Sequence, residues 1–297
     1  MTTLETTAGI LLVGLVLRDI FHTLFHPSGF GTIARSTFVS VWRGTRFAWR
    51  RGRGSELAGP AALVLVIALW ALGVVGGFAL VYHPRLESFT VGHGHRAATT
   101  FGTALYVSTV AVSTLGLGDV VPVDGPMRTA IVLEALIGFL LLTAAISWVL
   151  QLYPALTRRR VLARSLHTLH RTRYADHLRA GSGPSDAVLL DGLRQQLATG
   201  AVDLEQYRES YYFRESKRET ALAATLPVAR AVADCACAPS SHVECRRAGR
   251  RLRAELDTFQ HQVADVIGAS ADDDPIGAYA ADHEHRPFID HAALDDA

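Results

Sequence analysis

Residues 99–122 read TTFGTALYVSTVAVSTLGLGDVVP, and the reading of this stretch decides the fold. Its first part, 99–113, is rich in Ala, Val and Thr and uncharged, yet too short to cross a bilayer core, which takes about 20 helical residues. It runs directly into Thr114, Leu115, Gly116, Leu117, Gly118 and Asp119. A half-length helix that enters the membrane and turns back fits that length. Irregular backbone at membrane depth is tolerated only where it is buried in protein or lines a wet cavity, so a Gly-x-Gly strand placed there implies a pore. Gly116 and Gly118 would let the carbonyls of Thr114 to Leu117 turn toward one axis. Out of context such a pair more often marks a tight loop, and these two lack the third glycine and preceding strand of a dinucleotide-binding turn.

The flanks supply the context. Residues 60–82 carry no charge and are long enough to span a membrane. Residues 129–153 form a second span interrupted only by Glu134, with Trp148 and Tyr153 near its end, where amphipathic rings favour the interface. An earlier stretch, 8–25, is uncharged only as far as 17 before Arg18, Asp19, His22 and His26 intervene, so it either spans or lies in the interface. The preceding MTTLETT carries Glu5 and no basic residue, which argues against a secretory signal peptide. A mean hydropathy of +0.20 alongside 19% charged residues agrees with a strongly local apolar excess. The 29 basic and 28 acidic side chains nearly cancel, and all the basic ones but Lys217 are arginine, which gives no case for a nucleic-acid partner. Three cysteines cannot staple 297 residues.

Orientation follows from arginine, because short basic loops stay on the cytoplasmic side. Arg35, Arg43, Arg46, Arg50, Arg51 and Arg53 precede the 60–82 span, and Arg158, Arg159, Arg160, Arg164, Arg171 and Arg173 follow the 129–153 span. Both flanks are therefore expected in the cytoplasm, and the loop 83–126 outside. Phe38, Val41, Trp42 and Trp49 share one helical face opposite Arg43, Arg46, Arg50 and Arg53, the pattern of a helix resting on an anionic leaflet. Those arginines sit in a segment too short and polar for a voltage-sensing span.

The stretch 104–122, ALYVSTVAVSTLGLGDVVP, resembles the pore helix and selectivity filter of the potassium-channel superfamily, whose filters read T-V-G-Y-G-D and, in some two-pore-domain members, T-I-G-L-G-D. The likeness covers about 60–153 and implies a bacterial single-pore-loop channel: outer helix, pore helix, filter and inner helix. The implied fold class is an all-α membrane protein, a potassium-channel pore module with an extra N-terminal apolar helix and a helical cytoplasmic C-terminal domain. The resemblance assigns ion binding to Thr114, Leu115, Gly116, Leu117, Gly118 and Asp119, with Thr114 adding a hydroxyl and Asp119 a charge at the outer mouth. It places Gly138 at an inner-helix hinge and Phe139, Leu142 and Ile146, which recur at helical spacing, on the cavity; a lipid or helix contact is the plainer reading of that face. Two departures stand out. Leu117 replaces the common filter tyrosine, and Val110 replaces a glutamate found behind some filters, so this filter is expected to rest on packing more than on hydrogen bonds. Glu134 in hydrocarbon calls for protonation or a polar partner, expected near the pore helix, and with His83, His93 and His95 of the outer loop it makes pH-modulated opening an expectation. An N-terminal D-I-F-H-T-L-F-H-P run, 19–27, resembles other bacterial membrane proteins and adds no mechanism.

Beyond 153 the chain turns soluble. The expected division is 1–57, an N-terminal span or interfacial helix with a basic loop; 58–155, the pore domain; 156–269, a helical cytoplasmic domain; and 270–297, an acidic disordered tail. A basic helix at 156–179 is followed by a Gly/Pro break, a helix N-capped by Ser185, and helices near 218–233 and 242–267; Tyr207, Tyr211, Tyr212 and Phe213 are expected in a core. Cys235, Cys237, His242 and Cys245 form a C-x-C-x4-H-x2-C cluster that departs from usual zinc spacing, leaving reduced packed thiols as the alternative to a metal site. No nucleophile, acid–base pair or cofactor loop points to an enzyme, and no cofactor is expected beyond permeant potassium. The leading functional expectation is a homotetrameric potassium-selective channel of the inner membrane. A nonselective cation channel, and a non-conducting sensor signalling through its cytoplasmic helices, are the alternatives.

Overall fold

A computed structural model describes residues 2–26, 29–49, 55–91, 95–96, 98–268 and 274–288. The chain divides into two compact units, one of Met1–Val41 with Pro60–Leu150 and one of Trp42–Gly59 with Gln151–Ala297.

The first unit holds α1 (Thr2–Leu24), most of α2 (Thr32–Trp49), α3 (Ala58–Tyr82), α4 (Phe101–Val112) and the first part of α5 (Gly125–Arg171). α1, α3 and α5 are each long and apolar enough to cross a membrane. The 25 residues of α3 rise about 37 Å, whereas the 12 of α4 rise about 18 Å, half the hydrocarbon thickness. The first apolar stretch forms a 23-residue helix, long and apolar enough to cross a membrane. α1 lies close against α3 because both are notched by glycine. A Cβ on Gly9 would stand 2.4 Å from the Gly77 carbonyl oxygen, and one on Gly73 would stand 2.6 Å from Val16, the small-residue contact by which membrane helices approach without a hydrophobic drive.

The acid inside α1 has a structural use. Asp19, 5% exposed, accepts hydrogen bonds from the Ile33 amide at 2.8 Å, the Ala34 amide at 3.2 Å and the Trp70 indole at 2.9 Å. Two of these donors are otherwise orphan N–H groups of the first turn of α2, so Asp19 caps that helix from 14 residues upstream in sequence. The neighbouring Thr23 hydroxyl accepts from Gly31 at 3.1 Å. The D-I-F-H-T run therefore builds the corner between α1 and α2.

The interfacial reading of α2 needs correction. Phe38 and Trp42 are buried in protein, Phe38 edge-on to Trp148 at 6.4 Å; Trp49, Arg50, Arg51 and Arg53 fall outside the described side chains. The apolar stripe that would suit a leaflet instead suits a neighbouring helix, and amphipathicity alone does not distinguish the two.

After α3 the chain enters a small antiparallel sheet, absent from the sequence reading because its strands have two or three residues each. β1 (Phe89–Val91) lies between β2 (His95–Arg96) and β3 (Val120–Pro122), with Phe89 opposite Pro122 and Val91 opposite Val120. Tyr82, Leu86, Phe89, Ala104, Val107 and Met127 form the buried core beneath it.

The second unit is helical: the end of α5, α6 (Tyr174–Ala180), α7 (Pro184–Gln206), α8 (Leu222–Ala236), α9 (Val243–Ile267) and α10 (Pro275–Asp282). α7 and α9 bury Leu190, Leu193, Leu197, Leu252, Leu256 and Phe259 at helical spacing. The expected helix at 156–179 is two elements: α5 continues to Arg171, Arg173 turns left-handed with φ 51°, and α6 follows. The N-cap of α7 is Gly183, not Ser185, with the Asp186 carboxylate reaching back to the Gly183 amide at 2.7 Å. Tyr211, Tyr212 and Phe213 are buried. The expected disordered tail is also corrected within 274–288, where the chain forms α10 and a segment ending at buried Phe288; Ile276, Tyr279 and Ala280 give that stretch enough apolar surface to dock.

Candidate pore and filter

Thr100 caps α4, its side-chain oxygen accepting from the Thr103 amide at 3.3 Å. The helix ends at Ser113, and the backbone then alternates in hand. Thr114, Gly116 and Gly118 have φ of 57°, 56° and 72°, while Leu115 and Leu117 do not enter the left-handed region. Alternation of this kind lets successive carbonyls face one side of the strand, which neither helix nor sheet allows. Thr114 is β-branched, so its left-handed backbone is strained, and strain of this sort is retained where a site needs it. Leu115 and Leu117 of this strand are 66% and 59% exposed.

A side-chain hydrogen bond that the sequence did not predict holds the outer end of this strand. The Tyr106 hydroxyl of α4 donates to Asp119 Oδ2 at 2.6 Å, and that bond holds the Asp119 carboxyl below its ordinary range. β3 begins at the next residue, so the outer end of the strand is pinned to β1. The signal in the sequence for this bond is a phenol 13 residues before an acid, across a half-length helix.

Behind α4 lies a second anchor. Glu134 of α5 is fully buried. One carboxyl oxygen accepts from the Tyr82 hydroxyl at the end of α3 at 2.6 Å, and the other is bonded to Ser108 of α4. The Ser108 oxygen also lies 2.9 Å from the Val75 carbonyl of α3. Outer helix, half-helix and inner helix are thereby joined through one carboxyl group. Val110 leaves no acid on α4 itself, and the acid supporting that helix comes from α5.

Gly138 lies one turn beyond Glu134, and a Cβ there would stand 2.1 Å from the Val112 carbonyl oxygen. The glycine is required for α5 to touch the end of α4, and α5 is helical through this position. Phe139, Leu142 and Ile146 are 57%, 60% and 52% exposed and leave an apolar face the chain itself does not cover. Thr143 on that side turns its hydroxyl back to the Phe139 carbonyl at 2.9 Å.

The remaining candidates do not converge. His83 bonds Glu5 of α1 at 2.9 Å, whereas His93 and the His95 side chain lie outside the described residues. Among the described residues no group of three or more His, Cys, Asp or Glu could hold a metal, so Cys235, Cys237, His242 and Cys245 do not form the zinc cluster their spacing allowed. The reason is local: Cys235 and Cys245 are buried, and the His242 ring is used as the α9 N-cap, accepting from the Glu244 amide at 3.4 Å. Burial pushes the Cys237 and Cys245 thiols up, away from the thiolate a metal needs.

Comparison with known proteins agrees with this geometry. Residues 64–153 match the family described as Ion channel. That stretch, under a third of the chain, is similar to an ion-channel pore module, and it lies in a chain with three helices long and apolar enough to cross a membrane. Over 164 residues the chain is 27% identical to the Uncharacterized membrane protein YdjJ of Bacillus subtilis (strain 168), a match covering 54% of this chain and 48% of that protein. The chain thus spans about half the length of this relative. No solved structure matches.

Proposed function

We propose that four copies of this chain surround one axis and form a potassium-selective channel of the inner membrane, with the second unit in the cytoplasm. The observation that carries this reading is the alternation of hand at Thr114, Gly116 and Gly118 within T-L-G-L-G-D, at the end of a half-length helix. A single such strand supplies a quarter of a ring, so a four-fold assembly is needed for carbonyls to replace an ion's hydration shell. In this reading the carbonyls of Thr114 to Leu117 and the Thr114 hydroxyl bind dehydrated potassium in succession. Asp119 raises cation concentration at the outer mouth, and Phe139, Leu142 and Ile146 line an apolar cavity that closes by losing water. The arginine-rich flanks support a cytoplasmic second unit.

Leu117 favours the second reading, a nonselective cation pore, because leucine offers no lateral hydrogen bond to brace a ring of carbonyls. Mass measurement in nanodiscs, followed by potassium and sodium flux into liposomes, tests both. Tetramers that pass potassium and exclude sodium fit the proposal, equal fluxes favour the nonselective pore, and monomers or dimers overturn the assembly.

A further inference from the structure

The second unit contains a group that the pore does not use. His283, directly after α10, is 1% exposed and its Nε2 has no hydrogen-bond partner among the described residues. Its ring sits among those of Trp42, Tyr211 and Tyr279, with centroids 4.8, 4.9 and 4.6 Å away. On either side of it the chain is fastened at intervals. Asp282 accepts from the Trp42 indole at 2.9 Å and the Tyr211 hydroxyl at 2.6 Å and pairs with Arg46. Arg214 donates to the His283 carbonyl, and Arg218 to the carbonyls of Arg286 and Pro287, each at 2.8 Å. Phe288 donates its amide to Ala224 and packs between His167 and His170 of α5.

We propose that residues 274–288 form a strap, docked while His283 is neutral and released when it takes up a proton, which ties the end of α2 to the cytoplasmic part of α5.

The argument rests on what surrounds the ring. From α2 it meets Arg46; from α5, Arg159; from the segment before α8, Tyr211, Arg214 and Glu215; from its own segment, Tyr279, Asp282 and His285. The acids around it are already engaged, Glu284 beside it in the chain with Arg214 at 4.0 Å. Asp282 serves Arg46, Trp42 and Tyr211, and Glu215 accepts from Arg159 Nη2 at 2.5 Å. A proton on His283 therefore creates a buried cation with three guanidinium neighbours and no free counter-charge, a state that is costly unless the group reaches water. Burial first, then Arg159, His285, Arg214 and Arg46, holds the His283 imidazole well below its ordinary value. Burial and Arg214 lower His285 in the same sense.

The sign of the pH effect follows. Both histidines bind protons more weakly docked than released, so docking is fully favourable above the released value of about 6.5 and weakens as pH falls below it. Each histidine then contributes about a tenfold loss of docking per pH unit, until the docked pKa is reached. Any consequence for conduction rests on the channel reading, but docking itself is measured without ion flux.

The test is hydrogen–deuterium exchange on the full chain in nanodiscs at pH 7.5 and 5.5, corrected for intrinsic rates, comparing peptides from 274–288 with a reference peptide from α9. Protection of the strap should fall about tenfold for each histidine released between those pH values, with α9 unchanged. His283→Phe, or His283→Gln if the larger ring fails to fold, should retain about tenfold more protection at pH 5.5 than the unaltered chain. Equal strap protection of the unaltered chain at both pH values, a loss shared by α9, or a loss in both variants as large as in the unaltered chain overturns the proposal. Because no current is read, a non-conducting protein with a pH-released strap and a conducting one without it are distinguishable.

Discussion

At the scale of single residues, the polar groups behind the filter decide whether α4 is held in place. Glu134 bonds both Tyr82 and Ser108 in the buried interior, and removing the carboxyl orphans the Tyr82 hydroxyl, at about 1–3 kcal/mol when buried, and leaves Ser108 only the Val75 carbonyl. Glu134→Ala should therefore lower the thermal unfolding midpoint in detergent well below that of Glu134→Gln, which keeps a hydrogen-bonding side chain of the same length. Equal midpoints for the two variants would show that the network contributes nothing. Tyr106→Phe removes one bond to Asp119 at the filter's outer end without changing the ring's bulk. Under the proposed function, single-channel records of this variant should show open times shortened several-fold, whereas unchanged open times would remove Tyr106 from the filter's support. Glu134 was legible in the sequence as an acid needing a partner, because one charge interrupts an otherwise apolar run. A partner was expected near the half-length helix, where Ser108 lies, but Tyr82 was not legible, since it is 52 residues away and does not stand out from its neighbours.

Among elements, the legible ones were those defined by an unbroken local signal. The 60–82 and 129–153 runs became α3 and the first part of α5, and the half-length 99–113 segment became α4. Elements whose stability comes from distant partners were missed or misread. β1 and β3 join residues about thirty positions apart, with too few residues to show alternation. Trp42 looked like a leaflet anchor because its partner Asp282 is 240 residues downstream. The α1–α2 corner is the same kind of feature, as Asp19 caps one helix and binds the indole of another. Asp19→Ala should remove a cap of about 0.5–2 kcal/mol and leave the Trp70 indole N–H buried without an acceptor, about 1–3 kcal/mol more. Exchange at the amides of Ile33 and Ala34 should rise at least tenfold while α9 is unaffected. Unaltered exchange there would mean that α2 does not depend on this cap.

For the whole molecule, the sequence placed boundaries after 57, 155 and 269, whereas the structure makes one unit of Met1–Val41 with Pro60–Leu150 and another of Trp42–Gly59 with Gln151–Ala297, so the end of α2 belongs with the second unit. Leu115, Leu117, Phe139, Leu142 and Ile146 are exposed on the single chain, and under the proposed function four-fold assembly turns them into a filter, a cavity and subunit contacts. Under that reading, a bifunctional thiol cross-linker acting on a single cysteine introduced at Ile146, in a background lacking the three native cysteines, should trap pairs of subunits; monomers alone would contradict the assembly. The most direct measurement is the reversal potential of the purified tetramer in a planar bilayer with potassium on one side and sodium on the other. The account predicts a reversal displaced toward the potassium equilibrium potential, by about 59 mV for each factor of ten in selectivity. A reversal at zero, with measurable current, would contradict potassium selection by the T-L-G-L-G-D strand.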